Sequence, residues 1–271
     1  MKKHLLSLLL TSIALAEPSG GYHLFSPRPR AEMRDFNTDR PDQTESPYTV
    51  DAGHFQWEMD LLNWTRDTED GLRVDTLNVA PFNLKIGLLD NTDLHLIYET
   101  WIWQRETADQ QHWTQRGSGD LTIRLKHNLW GNDGGTTALA IMPYVIVPTE
   151  ASDLGRDDAE GGVIIPFGWN LSDDLFLGVM TQWKWLPGEA GGTTHAWTNT
   201  ASLGVSLTER LATYFELTAT VFDDASPWQS TVDGGFTYML TENVQLDLGC
   251  NFGITESAPD VQPFVGVTYR Y

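Results

Sequence analysis

Seven histidines and a single cysteine are the side chains of this chain that could serve as a general base, a nucleophile or a metal ligand. Hydrolytic catalysis needs a nucleophile, a base within hydrogen-bonding reach and a third group that orients the base. No histidine stands in a His-x-Ser or Gly-x-Ser-x-Gly neighbourhood, and there is no His-Glu-x-x-His, Cys-x-x-Cys or glycine-rich phosphate loop. His195, which follows two threonines, is the best-placed candidate base, and we interpret it as a solvated loop histidine. The sequence therefore predicts no catalytic residue, no metal site and no cofactor.

One acidic cluster has the composition of a calcium loop. Asp153, Asp157, Asp158 and Glu160 crowd a predicted external loop, and Ca²⁺ binds oxygen ligands of this kind. Acidic residues are abundant throughout the chain, however, with 37 Asp and Glu against 17 Lys and Arg and a formal net charge of −20. We therefore prefer to interpret the cluster as an unpatterned acidic loop, and calcium binding is the alternative.

Other charged residues stand at every second position within apolar segments, so that they share one face of a strand. We expect these side chains to line an enclosed watery interior, where they either pair with one another or set the field of a pore. The excess of acid predicts cation preference if the pore is open, and it argues against nucleic acid as a partner because like charges repel. The predicted lumen-lining residues are Glu58, His95, Glu99, Arg124, Lys126, Lys184, Glu216, Asp247 and Arg270.

The elements that carry these residues are predicted to be β-strands. From Gly53 onward, segments rich in aromatic and β-branched residues alternate with turn residues, and helical periodicity is nearly absent. Short connections such as 88–92 and 240–243 alternate with longer polar ones such as 105–117 and 149–161. This alternation is typical of outer-membrane barrels, which have tight periplasmic turns and longer external loops. It predicts strands at 53–65, 72–87, 93–104, 118–130, 136–147, 161–171, 175–186, 196–208, 211–223, 228–240, 244–253 and 261–271, with a bulge possible in 72–87.

Each predicted strand has one apolar and one polar face. In 244–253, for example, Leu246 and Leu248 alternate with Gln245 and Asp247. A soluble sandwich has the same period, but the polar faces are rich in Gly, Thr, Asn and charged residues, which suits the wide interior of a twelve-stranded barrel. Tryptophans concentrate near the strand ends, where amphipathic rings meet lipid headgroups. We therefore predict an all-β fold, a single transmembrane antiparallel barrel over residues 53–271 with its apolar face toward the lipid bilayer.

Both ends of the chain carry targeting features. Lys2 and Lys3 precede a short apolar run that ends in Ala-Leu-Ala at residue 16, which predicts a cleaved signal peptide over residues 1–16. The C-terminal residues 265–271 place apolar side chains at every second position and end on Tyr271. That pattern resembles the signature by which the outer-membrane assembly machinery recognises barrel precursors; a plain strand edge is the alternative. We expect export to the outer membrane of a Gram-negative bacterium.

Between the signal and the barrel lies a polar segment, residues 17–52, which has several prolines and no periodicity. Because it directly precedes the first strand, it can reach the periplasmic mouth of the barrel or its lumen. We predict that part of it forms a plug or latch in which Arg40 pairs with a luminal acid such as Glu58 or Asp247. A disordered periplasmic tail is the alternative. The residues of the predicted latch are Asp39, Arg40, Pro41, Asp42 and Glu45.

The sequence around the latch resembles the opening of a known bacterial family. Residues 38–50, Thr-Asp-Arg-Pro-Asp-Gln-Thr-Glu-Ser-Pro-Tyr-Thr-Val, and 53–58, Gly-His-Phe-Gln-Trp-Glu, carry the resemblance. They are similar to the MetA-pathway phenol-degradation, or transporter-like, outer-membrane β-barrel proteins, whose length and barrel rhythm fit the rest of the chain. The resemblance implies an outer-membrane channel for small hydrophobic or aromatic compounds.

We therefore predict a non-enzymatic outer-membrane channel or transporter-like barrel for the passive passage of small molecules. Two alternatives stay open. A barrel-borne enzyme of the phospholipase type would need a serine and a histidine together at one external strand end. A closed structural barrel would have a lumen filled by side chains and would conduct no ions.

Overall fold

A computed structural model describes residues 21–109, 111–149, 154–187 and 192–271. The predicted signal peptide, residues 1–16, and Asp153 of the acidic loop lie outside these ranges. Within them, regular structure consists of β-strands and one short 3₁₀ turn, Arg30–Glu32. None of the described helical structure is long and apolar enough to cross a bilayer.

The strands form one antiparallel sheet that closes on itself when the last strand pairs with the first, as at Trp57 and Tyr269. Three barrel strands are interrupted, so the fifteen described segments make up the twelve strands of the predicted transmembrane barrel. The fold class and the strand number are thus confirmed. The segments are β1 (Phe55–Glu69), β2 (Leu72–Val79), β3 (Phe82–Leu89), β4 (Thr92–Tyr98), β5 (Trp101–Ala108), β6 (Gln111–Gly117), β7 (Leu121–Trp130), β8 (Thr137–Val147), β9 (Glu160–Ser172), β10 (Leu175–Pro187), β11 (Thr193–Ser206), β12 (Leu211–Phe222), β13 (Gln229–Thr241), β14 (Val244–Gly253) and β15 (Val261–Arg270).

The three interruptions lie at one level of the barrel wall. β2 and β3 both pair with β1 and are separated by Ala80, whose φ is 54°, and by Pro81, which cannot donate to the ladder. The breaks between β4 and β5 and between β6 and β7 lie beside it, because Phe82 pairs with Tyr98 and Tyr98 pairs with Leu121. Where the sequence allows a bulge in 72–87, the structure has a break at residues 80–81.

The prediction of an external loop at 105–117 is wrong, because most of this region forms the β5–β6 hairpin. One face of β6 carries His112, Thr114 and Arg116, and the other carries Gln111 and Gln115 on either side of Trp113. A test for alternating hydrophobicity does not detect such a strand, because neither face is apolar. β2, β5 and β6 extend the sheet beyond the level of the breaks.

Side-chain exposure is inverted relative to a soluble protein. The outward residues Phe215 and Leu217 of β12 and Leu248 of β14 are 64%, 50% and 54% exposed. Glu216 and Asp247, which alternate with them, are 4% and 3% exposed. An apolar exterior around a polar interior is the arrangement of a transmembrane barrel, whose outer face contacts hydrocarbon.

The two ends of the barrel differ in their connections. At the end termed the short-turn end, residues 90–91, 173–174 and 242–243 form tight turns between neighbouring strands. Both ends of the barrel sequence lie there, since the Tyr271 N–H donates to the Phe55 carbonyl at 2.8 Å. At the opposite, loop end, the connections 223–228 and 254–260 are longer, while residues 70–71 form a tight turn between β1 and β2.

Candidate functional site

The residues before β1 enter the barrel at the short-turn end. The Leu24 N–H donates to the Leu88 carbonyl at 2.9 Å, and Arg28 Nη2 lies 3.1 Å from Asp90 in the turn between β3 and β4. Burial alone would lower the pKa of Arg28, but its hydrogen bond to Asp90 and the nearby acidic charges raise that pKa instead. The guanidinium is therefore a permanent positive anchor at this end. Residues 37–52, which continue into the interior, are termed the luminal segment.

A buried ion cluster around Asp39 holds the first part of the luminal segment. The Asp39 carboxylate lies 2.5 Å from Nζ of Lys85 on β3 and 2.6 Å from Nζ of Lys126 on β7. These three side chains are only 5%, 3% and 0% exposed. Glu58 on β1, one of the two expected partners of Arg40, instead contacts Lys85 and accepts the Asp39 N–H at 3.0 Å. Because a buried charge is costly unless it is paired and hydrogen-bonded, wall and segment neutralise each other here.

Arg40 contacts a different part of the wall. Its Nε and Nη2 donate to the two oxygens of Asp247 on β14 at 3.2 and 2.7 Å, and Nη2 lies 2.5 Å from Asp60 on β1. The guanidinium carbon lies 5.7 Å from the ring centroid of Phe264 on β15. Gly266 provides the space, because a Cβ at this position would come within 2.2 Å of Nη2. Arg40 is thus held by two carboxylates and an aromatic face.

The next residues attach the segment to β11, β12 and β13 by hydrogen bonds without a cation. Glu216 accepts the N–H groups of Gln43 and Thr44 at 2.7 and 2.8 Å. Thr44 Oγ1 lies 2.5 Å from Thr200 Oγ1 on β11, and the Gln43 amide donates to Asp233 on β13 at 2.8 Å. Neither Glu216 nor Asp233 forms an ion pair with a cation among the described residues. This side of the interior is therefore attached to the segment through acids that carry hydrogen bonds and no salt bridge.

Glu45 and the residues after it return the segment to β7. Glu45 forms an ion pair with Arg124, and Lys126 Nζ donates to the Tyr48 carbonyl at 3.2 Å. The Asn128 amide donates to the carbonyl of Pro47 at 2.8 Å. The luminal segment therefore starts at the β3–β7 side, crosses the interior to β11–β15, and comes back.

Two cavities meet the crossing part of the segment. The larger, of about 710 Å³, lies toward the short-turn end and is lined in part by Asp42 and Tyr214. The smaller, of about 260 Å³, lies toward the loop end and is lined in part by Phe264. Arg40 and Pro41 border both cavities. Residues 40–44 are therefore the partition between the two spaces.

The other predicted luminal residues lie at different heights of the interior. His95 is fully buried on β4, 4.0 Å from Asp39. Lys184 alternates with the exposed Trp183 on β10 and so faces inward. Glu99 lies at the strand break beside Gly119. At the short-turn end, Arg270 Nη1 donates to the Arg34 carbonyl at 2.8 Å.

Four charged wall residues that contact the luminal segment in the described part of the chain were not predicted: Lys85, Asp60, Asp233 and Asp93, which accepts the Val50 N–H at 2.8 Å. Lys85 alternates with apolar residues in Leu84-Lys85-Ile86, so the period of two could have identified it. Asp60 alternates in the same way with Met59, but a register shift follows it. Asp233 precedes Gly234, which interrupts the apolar face of its strand between Val232 and Phe236.

The histidine and acidic candidates form no reactive site in the described residues. His195 lies on β11 and not in a solvated loop, so that interpretation is wrong; its ring stacks on Trp183 at 5.5 Å and lies 6.3 Å from Trp197. The residues before His195 include too few apolar side chains to show where the strand begins. No group of three or more histidine, cysteine or acidic residues is placed to hold a metal ion in the part of the chain that the structure describes.

Comparison with known proteins gives matches in family and in fold. A family model described as "Putative MetA-pathway of phenol degradation" matches residues 38–271. No protein of curated function matches the chain. The COG4313 outer membrane channel from Pseudomonas putida F1 has a TM-score of 0.63 and 12% identity, over 87% of this chain and 100% of that chain. The NanC porin has a TM-score of 0.51 and 9% identity, over 78% of this chain and 98% of that chain.

At these identities the structural likeness establishes the fold, which is the closed barrel already described. The family match begins beside Asp39 and runs through the luminal segment and all the strands to Tyr271. It therefore includes both the wall and the segment that crosses it. The chain belongs to the family described as "Putative MetA-pathway of phenol degradation".

Proposed function

We propose that this protein is a passive outer-membrane channel for small molecules, and that the luminal segment closes its pore. The observation that carries the proposal is the partition at residues 40–44, with a cavity on each side. The barrel wall's own side chains do not fill these spaces. A passage separated only by a polar segment can open by a local rearrangement of that segment.

The surface of the barrel supports the membrane location. Its outward side chains are apolar, as at Phe215 and Leu248, and tryptophans such as Trp57 and Trp169 lie near the short-turn end. Tight turns face the periplasm in barrels of this kind. The short-turn end is accordingly the periplasmic end, reached after cleavage of the signal peptide and insertion by the assembly machinery.

The proposed activity is transport without chemistry. The two solved structures reported above are named as an outer membrane channel and a porin. An acyl-transfer enzyme would need a serine beside an oriented histidine, whereas the His195 ring lies against Trp183 and Trp197. The contacts of this histidine favour a packing role in the outer surface of the barrel.

The attachment of the luminal segment is asymmetric, and this favours one moving part. Asp39 and Glu45 are fixed by buried ion pairs to Lys85, Lys126 and Arg124. Between these anchors, Gln43 and Thr44 are held by hydrogen bonds to acids. Apart from Arg40, which is paired with Asp247 and Asp60, residues 40–44 form no ion pair with the described residues of the wall, so they are the part that can leave it while both anchors stay in place.

A reversible crosslink tests the proposal. The hydroxyls of Thr44 and Thr200 lie 2.5 Å apart, so a Thr44→Cys, Thr200→Cys pair in a Cys250→Ala background can tie the segment to β11. We expect small conductance steps in planar bilayers when the pair is oxidised and larger steps after reduction. The matched control is Thr198→Cys with Thr220→Cys, whose hydroxyls lie 2.8 Å apart within the wall and whose oxidation should leave conductance unchanged.

Two results would contradict the proposal in different ways. Equal conductance before and after reduction of the 44–200 pair would show that the segment is not the gate. No conductance in either state, together with no swelling of liposomes in small sugars or amino acids, would identify a closed structural barrel.

A further inference from the structure

The contacts of Arg40 form a complete site for a positively charged group. Asp247 receives two hydrogen bonds from the guanidinium, which is the bidentate geometry that planar cations make with carboxylates. The Asp247 side chain is 0% exposed and that of Asp60 is 11% exposed, so both acids are largely removed from water. The Phe264 ring faces the guanidinium and adds a cation–π contact.

The site keeps a negative charge after Arg40 has bound, because two carboxylates share one guanidinium. Further acids, Glu216 and Asp233, lie nearby on the same side of the interior and are hydrogen-bonded to the segment rather than paired with a cation. The wall around Arg40 therefore favours additional positive charge over neutral or anionic groups.

Two buried polar atoms beside this site have no hydrogen-bond partner among the described residues: Tyr214 Oη and Asp233 Oδ1. Their residues are 4% and 5% exposed. Gly249 locates the hydroxyl next to the Arg40 site, because a Cβ there would lie 2.6 Å from Tyr214 Oη and 2.6 Å from the Phe264 ring. The two aromatic rings thus meet beside Asp247, with a hydroxyl and a carboxylate oxygen free to receive a donor.

The site can be reached from the loop end. The cavity of about 260 Å³ is lined by Arg40, Asp60 and Phe264, with the amides Asn251 and Gln262 above them. Such a volume is below the usual range of about 300–1,000 Å³ for drug-sized ligands. It fits a small ligand with one or two charged groups.

We propose that Asp60, Asp247 and Phe264 form a binding site for a small organic cation bearing a guanidinium or primary ammonium group, and that Arg40 occupies this site as a built-in competitor. A solute cation that takes the place of Arg40 removes the strongest contact of residues 40–44 with the β14–β15 wall. The binding itself follows from the site; the consequence for opening rests on the proposed function. The flat occupant, the aromatic face and the two-oxygen contact favour an organic cation over a metal ion.

Chemical replacement of the Arg40 side chain tests the site. In Arg40→Ala protein, purified in detergent, methylguanidinium should bind saturably in calorimetry, at least tenfold more tightly than in the wild type, where Arg40 competes. The Arg40→Ala, Asp247→Asn double variant should lose at least tenfold of that affinity. Sodium at equal ionic strength is the control for non-specific screening.

A second variant keeps the test independent of folding defects. Arg40→Lys retains the charge but not the bidentate contact, so it should also bind methylguanidinium more tightly than the wild type. Equal binding in wild type, Arg40→Ala and Arg40→Lys, or binding that ignores Asp247→Asn, would overturn the proposal. If methylguanidinium binds as expected but conductance does not change, the binding site is supported and the gate is contradicted. If methylguanidinium does not bind but the 44–200 crosslink changes conductance, the gate is supported and the binding site is contradicted.

Discussion

The ion cluster around Asp39 gives the sharpest test of the closed pore. Asp39→Asn removes the negative charge but keeps the size of the side chain, and the amide oxygen can still accept the Ser46 N–H, which lies 3.0 Å from Oδ1. Lys85 retains Glu58 as a partner, whereas Lys126 keeps only uncharged acceptors, the new amide oxygen and the Tyr48 carbonyl at 3.2 Å. The variant therefore leaves a fully buried ammonium without a directly bonded carboxylate.

The structure sets the size of the effect. Removing one partner of a buried ion pair costs about 3–5 kcal/mol, and the lower end applies because Glu58 still neutralises Lys85. In the wild type the Asp39 anchor stays in place during opening, so the cost of the variant falls on every state that keeps this anchor and favours release of the whole luminal segment, which lets water reach Lys126. At about 1.4 kcal/mol per tenfold change in an equilibrium constant, a loss of about 3 kcal/mol shifts the ratio of anchored to released segment by about 100-fold.

Single-channel recording in planar bilayers measures this shift as open probability, and urea unfolding followed by tryptophan fluorescence measures the barrel separately. The exposed turn residue Glu209, changed to Gln, is the matched control for loss of one acidic charge. We expect the Asp39→Asn channel to be open far more often than the wild type. Glu209→Gln should behave like the wild type. If Asp39→Asn lowers the stability of the barrel yet gates like the wild type, the cluster supports the wall and does not close the pore.

Three further predictions concern selectivity and the wall. Because acid exceeds base throughout the chain, reversal potentials should show cation preference; anion preference would contradict the proposed field. Gly266→Ala puts a Cβ within 2.2 Å of Arg40 Nη2 and 2.7 Å of the Met59 carbonyl in the wall. It should cost about 1–3 kcal/mol, seen as more frequent opening together with lower barrel stability. Gly192→Ala, with nothing within 4 Å, should have no effect. Leu248→Arg, on the lipid face, should lower folding stability in lipid by about 2–4 kcal/mol. The control Leu207→Arg, in a turn, should cost about 1 kcal/mol or less. Equal costs for the two variants would contradict the assigned orientation of the strands.

Much of the wall could be predicted from the sequence because its physics is local. Alternating polarity assigns each side chain of β14 to lipid or lumen, and the alternation of short and long connections gives the strand count. The strand breaks were harder to predict. Only Pro81 marks one of them by its chemistry, whereas the break at 118–120 depends on how three neighbouring strands bend together.

The contacts of the site could be predicted by type but not by partner. A charged segment beside a charged lumen implies ion pairs, yet Arg40 and Asp247 are 207 residues apart, and no local pattern links them. Lys85 illustrates the limit, since its alternation assigns it to the interior but only the closed barrel brings it to Asp39. The period of two determines whether a side chain faces lipid or lumen, and closure of the barrel determines which residues it contacts.

The wall and the luminal segment form one electrostatic unit, and this constrains how the pore can open. Removing Asp39 or Glu45 from the interior would leave Lys85, Lys126 and Arg124 short of counterions in a site that excludes water. Releasing Gln43 has the opposite consequence, because it exposes carboxylates to water, their preferred environment. On the β11–β15 side the charged contact that must be broken is that of Arg40 with Asp247 and Asp60. Opening there keeps the β3–β7 anchors intact, and the passage it creates is lined by acids.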